Sequence, residues 1–162
     1  MTGALIEVEI ETDDWTDALP DAEAIVERAA QAALGDVEGG LVVLLTDNGA
    51  VQLLNAQFRD KDRPTNVLSF PGGDMPQIPE FGPGAPAHLG DIVLAFGVCR
   101  DEAKAQGKSL ANHLTHLVVH GTLHVLGRDH EEEAEAEAME AEERTLLASL
   151  GVADPYILPD DL

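Results

Sequence analysis

The stretch Gly39-Gly40-Leu41-Val42-Val43-Leu44-Leu45-Thr46-Asp47 decides how the rest of this 162-residue chain is read. Five consecutive apolar residues between a glycine pair and a Thr-Asp turn signal fit a strand covered on both faces, because a strand with one wet face would alternate. Such a strand needs a layer on either side. Upstream, residues 21–34 set Ile25, Val26, Ala29, Ala30, Ala33 and Leu34 on one helical stripe, entered at Pro20-Asp21 and left at Gly35. Further upstream, Ile6, Val8 and Ile10 alternate with Glu7, Glu9 and Glu11, which predicts a half-buried strand over residues 5–11. Downstream, Asp47 is placed to cap a helix over residues 49–58.

The pattern continues with a strand over residues 66–70 and then a loop, residues 71–90, whose five prolines and five glycines rule out regular structure. An apolar strand follows at 91–96, then helical patterns at 98–106, 109–126 and 132–150, the last closed by Gly151. Strands interleaved with helices, then helices alone, predict an α+β layer structure: one domain over residues 1–162, with a small mixed β-sheet packed with helices. The order of strands in the sheet is not written in this pattern.

With 44% hydrophobic and 25% charged residues, the composition is that of a folded protein and excludes disordered and collagen-like classes. Cys99, the one cysteine, has no partner for an internal disulfide. No basic-then-apolar leader pattern and no apolar run of membrane-spanning length occurs, so the expectation is a cytoplasmic protein without membrane association. The formal net charge is −22, unfavourable for nucleic acid if spread evenly, but it is segregated. Residues 1–58 carry twelve acidic side chains against one basic, residues 129–162 the same, and residues 59–128 seven of each. Six of the nine cations fall in two clusters, Arg59/Lys61/Arg63 and Arg100/Lys104/Lys108, while the acidic ends read as solvated faces.

Chemistry concentrates in the helix at 109–126. His120 and His124 lie four residues apart, about 40° around the helix and one turn along it, so both imidazoles can reach one metal ion. Gly127 then offers a stop, and the turn through Arg128 and Asp129 can return His130 as a third nitrogen. Three neutral imidazoles leave a tetrahedral ion one open position, as in catalytic zinc sites. His116 falls near the same face, and with three ligands already in place it reads as a supporting or packing residue. A zinc peptidase would carry its general base directly after the first histidine, and that position is Gly121.

Three stretches resemble the YbeY family of bacterial ribosomal-RNA maturation factors. His120-Gly-Thr-Leu-His124-Val-Leu-Gly-Arg-Asp-His130 is similar to that family's H-G-x-L-H-L-x-G-x-D-H signature, with Val125 for the usual leucine and Arg128 where an aromatic residue is common. Arg59-Asp-Lys-Asp-Arg-Pro-Thr-Asn-Val-Leu-Ser-Phe70 resembles its R-x-x-D-x-P-T-D-V-L-S-F stretch, with Asn66 for the frequent aspartate. Leu89-Gly-Asp-Ile-Val93 resembles its L-G-D-I-x strand. The resemblance implies a single-strand-specific, metal-dependent endoribonuclease acting in 16S ribosomal RNA 3′-end maturation and ribosome quality control. It implies His120, His124 and His130 as ligands of one zinc ion and Arg59 as a catalytic arginine facing the cleft. It also implies single-stranded and ribosomal RNA, small-subunit components and a ribosome-assembly GTPase as partners.

The residues support part of this independently. A guanidinium fork at Arg59 matches phosphate oxygens and would stabilise charge developing at phosphorus; the competing reading is a surface ion pair with Asp60 or Asp62. Asp91, at a strand start, reads as structural. A metal-activated water makes a side-chain nucleophile unnecessary and would leave 3′-hydroxyl and 5′-phosphate ends. Attack by the RNA's own 2′-hydroxyl would leave a cyclic phosphate instead. Two other functions use the same histidines: a metal-assisted hydrolase of peptide or amide bonds, and a noncatalytic ribosome-assembly factor with a structural ion.

Overall fold

A computed structural model describes residues 4–71, 88–127 and 133–152. Four strands form one sheet in the order β1-β2-β4-β3: β1 (Ala4–Ile10), β2 (Gly39–Thr46), β3 (Val67–Pro71) and β4 (His88–Ala95). β1, β2 and β4 run parallel, and β3 pairs antiparallel with β4 at the far edge, which makes the sheet mixed. The described residues also form six helices: α1 (Asp13–Ala18), α2 (Ala22–Leu34), α3 (Asn48–Arg59), α4 (Phe96–Ala105), α5 (Leu110–Val125) and α6 (Glu133–Ser149).

β2 lies inside the sheet, as its unbroken apolar run requires. Leu41, Val43 and Leu45 are buried with Ile92 and Leu94 beneath α2 and α5, while Leu44 faces a smaller cluster with Val51 of α3, Phe70 and Val93. The two faces are thus covered by different helices. Residues 21–34 form the expected helix with one shift of frame: Asp21 is the N-cap, and Gly35 closes the helix at φ +58°, a backbone conformation that suits glycine. Asp47 caps α3, its Oδ1 accepting the Ala50 amide at 2.8 Å, and Ser109 caps α5, its Oγ accepting from Asn112 at 3.1 Å.

Two local expectations differ from the structure. The loop expected over residues 71–90 gives up both ends to the sheet: Pro71 pairs with Gly90, and β4 begins at His88. Proline is tolerated there because β3 is an edge strand. Gly90 is required by contact, since a Cβ would lie 2.5 Å from the Phe70 carbonyl oxygen and 2.8 Å from a Val125 methyl. Residues 72–87 lie outside the described residues. The second difference is α1, absent from the periodicity analysis because six mostly polar residues carry too short a pattern. Its one anchor is Trp15, fully buried, whose indole N–H donates to the Thr46 carbonyl at 2.9 Å.

Candidate metal centre

α5 is held on one side by Leu114, Leu117, Val118 and Leu123 in the main core. The spacing 113, 116, 120, 124 then puts four histidines in one row down another side, with successive ring centroids 6.4, 6.2 and 4.6 Å apart. The lower pair makes the centre. His120 Nε2 and His124 Nε2 stand 3.1 Å apart, close to the 3.3–3.4 Å that two imidazoles at about 2.0–2.1 Å from a tetrahedral zinc would show. His130 lies outside the described residues, as do Arg128 and Asp129.

The other ring nitrogen of His120 has a partner that the sequence analysis missed. Glu143 of α6 is fully buried, and its Oε1 is 2.9 Å from His120 Nδ1 and 3.2 Å from His116 Nε2. An ionised carboxylate only accepts, so His120 donates to it from Nδ1, while His116 Nε2 stands beside the same oxygen. Donor atoms of His116, His120 and Glu143 lie within 4.8 Å of one another, a group that could itself hold a cation. The signal was present: Glu143 falls between Met139 and Leu147 at four-residue spacing, and both of those are buried. Reading residues 129–162 as a solvated acidic face therefore fails at this position. Among its neighbours the reading stands, with Glu135 and Glu137 exposed and Glu140 half-buried near Arg144 at 3.6 Å.

Upstream in the row, His113 is buried and its Nε2 lies 2.9 Å from Glu102, which also accepts from the Asn66 amide at 2.9 Å. Burial holds the His113 imidazole below the ordinary histidine range, with Glu102 opposing that shift. Asn66, where the motif more often has aspartate, is thus a donor that ties the end of the 60–66 loop to α4. Cys99 is buried, and burial together with the charge of Glu102 pushes its thiol up to about 12, so it supplies no thiolate.

Arg59 ends α3, where Asp60 takes a left-handed conformation at φ +59°. Its guanidinium lies 4.9 Å from the Phe70 ring centroid, and Nη2 donates to the Ser69 carbonyl at 2.7 Å. Among the described residues no ion pair joins it to Asp60 or Asp62, and Asp62 instead accepts from Gln52 at 3.0 Å. Ser69 connects this arginine to the histidine row: a Cβ on Gly121, the residue after His120, would lie 3.1 Å from Ser69 Oγ and 3.0 Å from an Ile92 methyl. The glycine lets β3 close on α5 beside the imidazoles. A glutamate in that place, as a zinc peptidase requires, would have to enter this packed wall. Asp91 accepts from His88 Nε2 at 2.5 Å inside β4, where one extra residue at Leu89 turns His88 onto its face.

The family model described as Endoribonuclease YbeY matches residues 6–151. The chain belongs to this family. A protein from Paramagnetospirillum magneticum named Endoribonuclease YbeY is 53% identical over 156 residues, covering 93% of this chain and 94% of its own. One of the same name from Azorhizobium caulinodans is 50% identical over 160 residues, covering 95% and 97%. The solution structure of TM1509 from Thermotoga maritima matches with a TM-score of 0.51 at 23% identity, over 94% of this chain and 99% of that one, and supports the fold. Family membership joins the three sequence motifs to the geometry, since two of those stretches supply the paired imidazoles and the arginine tied to the strand beside them.

Proposed function

We propose that residues 1–162 act as one catalytic domain, a single-strand-specific, metal-dependent endoribonuclease working in 16S ribosomal RNA 3′-end maturation and ribosome quality control. The observation that carries this reading is the His120/His124 pair, spaced for one ion, with the other nitrogen of His120 engaged by a buried carboxylate. That donor set fits zinc, with His130 as third ligand. Bound there, the ion would supply a Lewis acid for the scissile phosphate and activate a water.

The protein's own part is positioning and charge. Phe70 and the Ser69 carbonyl fix the Arg59 guanidinium, and one hydrogen bond leaves its other donors for a phosphate. The fixed fork meets negative charge developing at phosphorus without reorganising. Gly121 keeps the wall between β3, whose Ser69 holds Arg59, and the imidazoles thin. The partners in this reading are single-stranded and ribosomal RNA, small-subunit components and a ribosome-assembly GTPase, in the cytoplasm. Because the acidic ends repel a polyanion, affinity depends on local cations and on such partners.

The test is cleavage of a short single-stranded RNA. Arg59→Ala should keep the fold and the zinc content while lowering turnover about 100- to 1,000-fold, the scale of losing a transition-state donor. Arg59→Lys should recover only part, having charge without the fork. Equal turnover of parent and Arg59→Ala rejects the assignment of this arginine. End analysis on an oligonucleotide with and without a 2′-deoxy cut site separates attack by water, leaving a 5′-phosphate, from attack by the 2′-hydroxyl, leaving a cyclic phosphate.

A further inference from the structure

Carboxylates crowd α6, and one of them is withdrawn from water altogether. Glu143 is fully buried although Glu135, Glu137, Glu140 and Glu142 of the same helix are exposed or half-buried, and nothing in solvation favours that placement. Its Oε1 stands between two imidazole nitrogens on another helix, 2.9 Å from His120 Nδ1 and 3.2 Å from His116 Nε2. We propose that Glu143 is a positioning residue of the metal centre, which fixes His120 in its Nδ1–H tautomer and so presents the bare Nε2 to the ion.

This role rests on the proposed reading of His120 and His124 as ligands of one ion. A neutral imidazole has one N–H and one lone pair, and the acceptor at one nitrogen decides which is which. Glu143 accepts at Nδ1, so the lone pair of His120 is at Nε2, the atom that faces His124 Nε2 at 3.1 Å. His116 Nε2 stands beside the same oxygen, 3.2 Å away, and so adjoins the ion's site through Glu143. Glu143 as a ligand itself would put the ion on the Nδ1 side of His120, away from His124.

Two variants separate these roles. Glu143→Gln keeps the side-chain length and an acceptor oxygen but loses the charge, and Glu143→Asp keeps the charge but draws the oxygen back by one methylene. Zinc affinity, measured by competition with a chromophoric chelator, should fall no more than about threefold for Glu143→Gln and about 10- to 100-fold for Glu143→Asp, the range for losing a ligand's outer hydrogen bond. Imidazole 15N shifts of the metal-free proteins should show His120 as Nδ1–H in the parent and Glu143→Gln, and as a mixture in Glu143→Asp. The reverse order of affinities would make the contribution one of charge and overturn the proposal. So would loss of zinc from Glu143→Gln as complete as from His124→Ala, since Glu143 would then be a ligand, or an Nε2–H tautomer in the parent. Retention of zinc by His124→Ala defeats the underlying reading of the site, and leaves the tautomer measurement to stand or fall separately.

Discussion

α5 and α6 are nearly equal in length, 16 and 17 residues, and both contribute to the candidate centre, yet their sequences disclose it very differently. In α5 no Asp, Glu, Lys or Arg competes for attention, so four histidines in one row are visible at once. In α6 the functional carboxylate is one of many, and its neighbours conceal it. The contrast teaches that a ligand is found by its chemistry, whereas a group that orients a ligand is found by its place on a buried stripe.

The largest effect expected from breaking this contrast falls on α5. His124→Ala, folded by circular dichroism, should lose nearly all bound zinc by elemental analysis, a loss beyond the roughly 100-fold that removing a ligand's supporting group brings. Zinc content equal to the parent's would return the row to ordinary packing residues.

A smaller effect sharpens the distinction within α5, between the histidines proposed to meet an ion and the one that meets α4. Because burial lowers the His113 pKa, the unfolded chain takes up a proton near the ordinary value while the folded protein does not. Stability is therefore full above about pH 6.5 and falls as the pH drops toward the folded-state value, with a slope below about 1.4 kcal/mol per pH unit. Urea unfolding at pH 7.0 and 5.5 should show this loss in the parent and a smaller one in His113→Gln. Identical losses in the two proteins would remove His113 as the source.

The smallest effect belongs to the visible acids of α6. Glu140 and Arg144 form a partly exposed i,i+4 pair at 3.6 Å, and Glu140→Ala should change unfolding free energy by less than about 0.5 kcal/mol without altering zinc affinity. A variant that loses zinc as Glu143→Asp is expected to would erase the line drawn between buried and solvated carboxylates on this helix.

Much of the fold was legible where one residue type controls one local choice. Asp47 announced a helix start because its side chain accepts an amide hydrogen, Gly35 announced a stop, and the apolar run at 41–45 announced an internal strand. The antiparallel placing of β3 was not legible, since strand order depends on contacts between distant segments such as Ser69 with Gly121. α1 was missed for want of length. At the site, His120, His124 and Arg59 carried their own signals, while Glu143 required knowing that Met139 and Leu147 are both buried. Asn66 drew notice as a departure from a motif, and only the structure gives it work, as a donor to Glu102.

Trp15 is the one tryptophan of the chain and sits where α1, β2 and α4 meet, its ring edge-to-face with Phe96 at a centroid distance of 5.2 Å. None of those three elements carries a histidine of the row. Its water-shielded indole makes the protein its own fluorescent reporter: emission shifts to longer wavelength when the domain opens, and stays in place when a variant empties the metal centre of an intact fold. One emission spectrum beside each metal measurement thus tells a lost ligand from a lost structure.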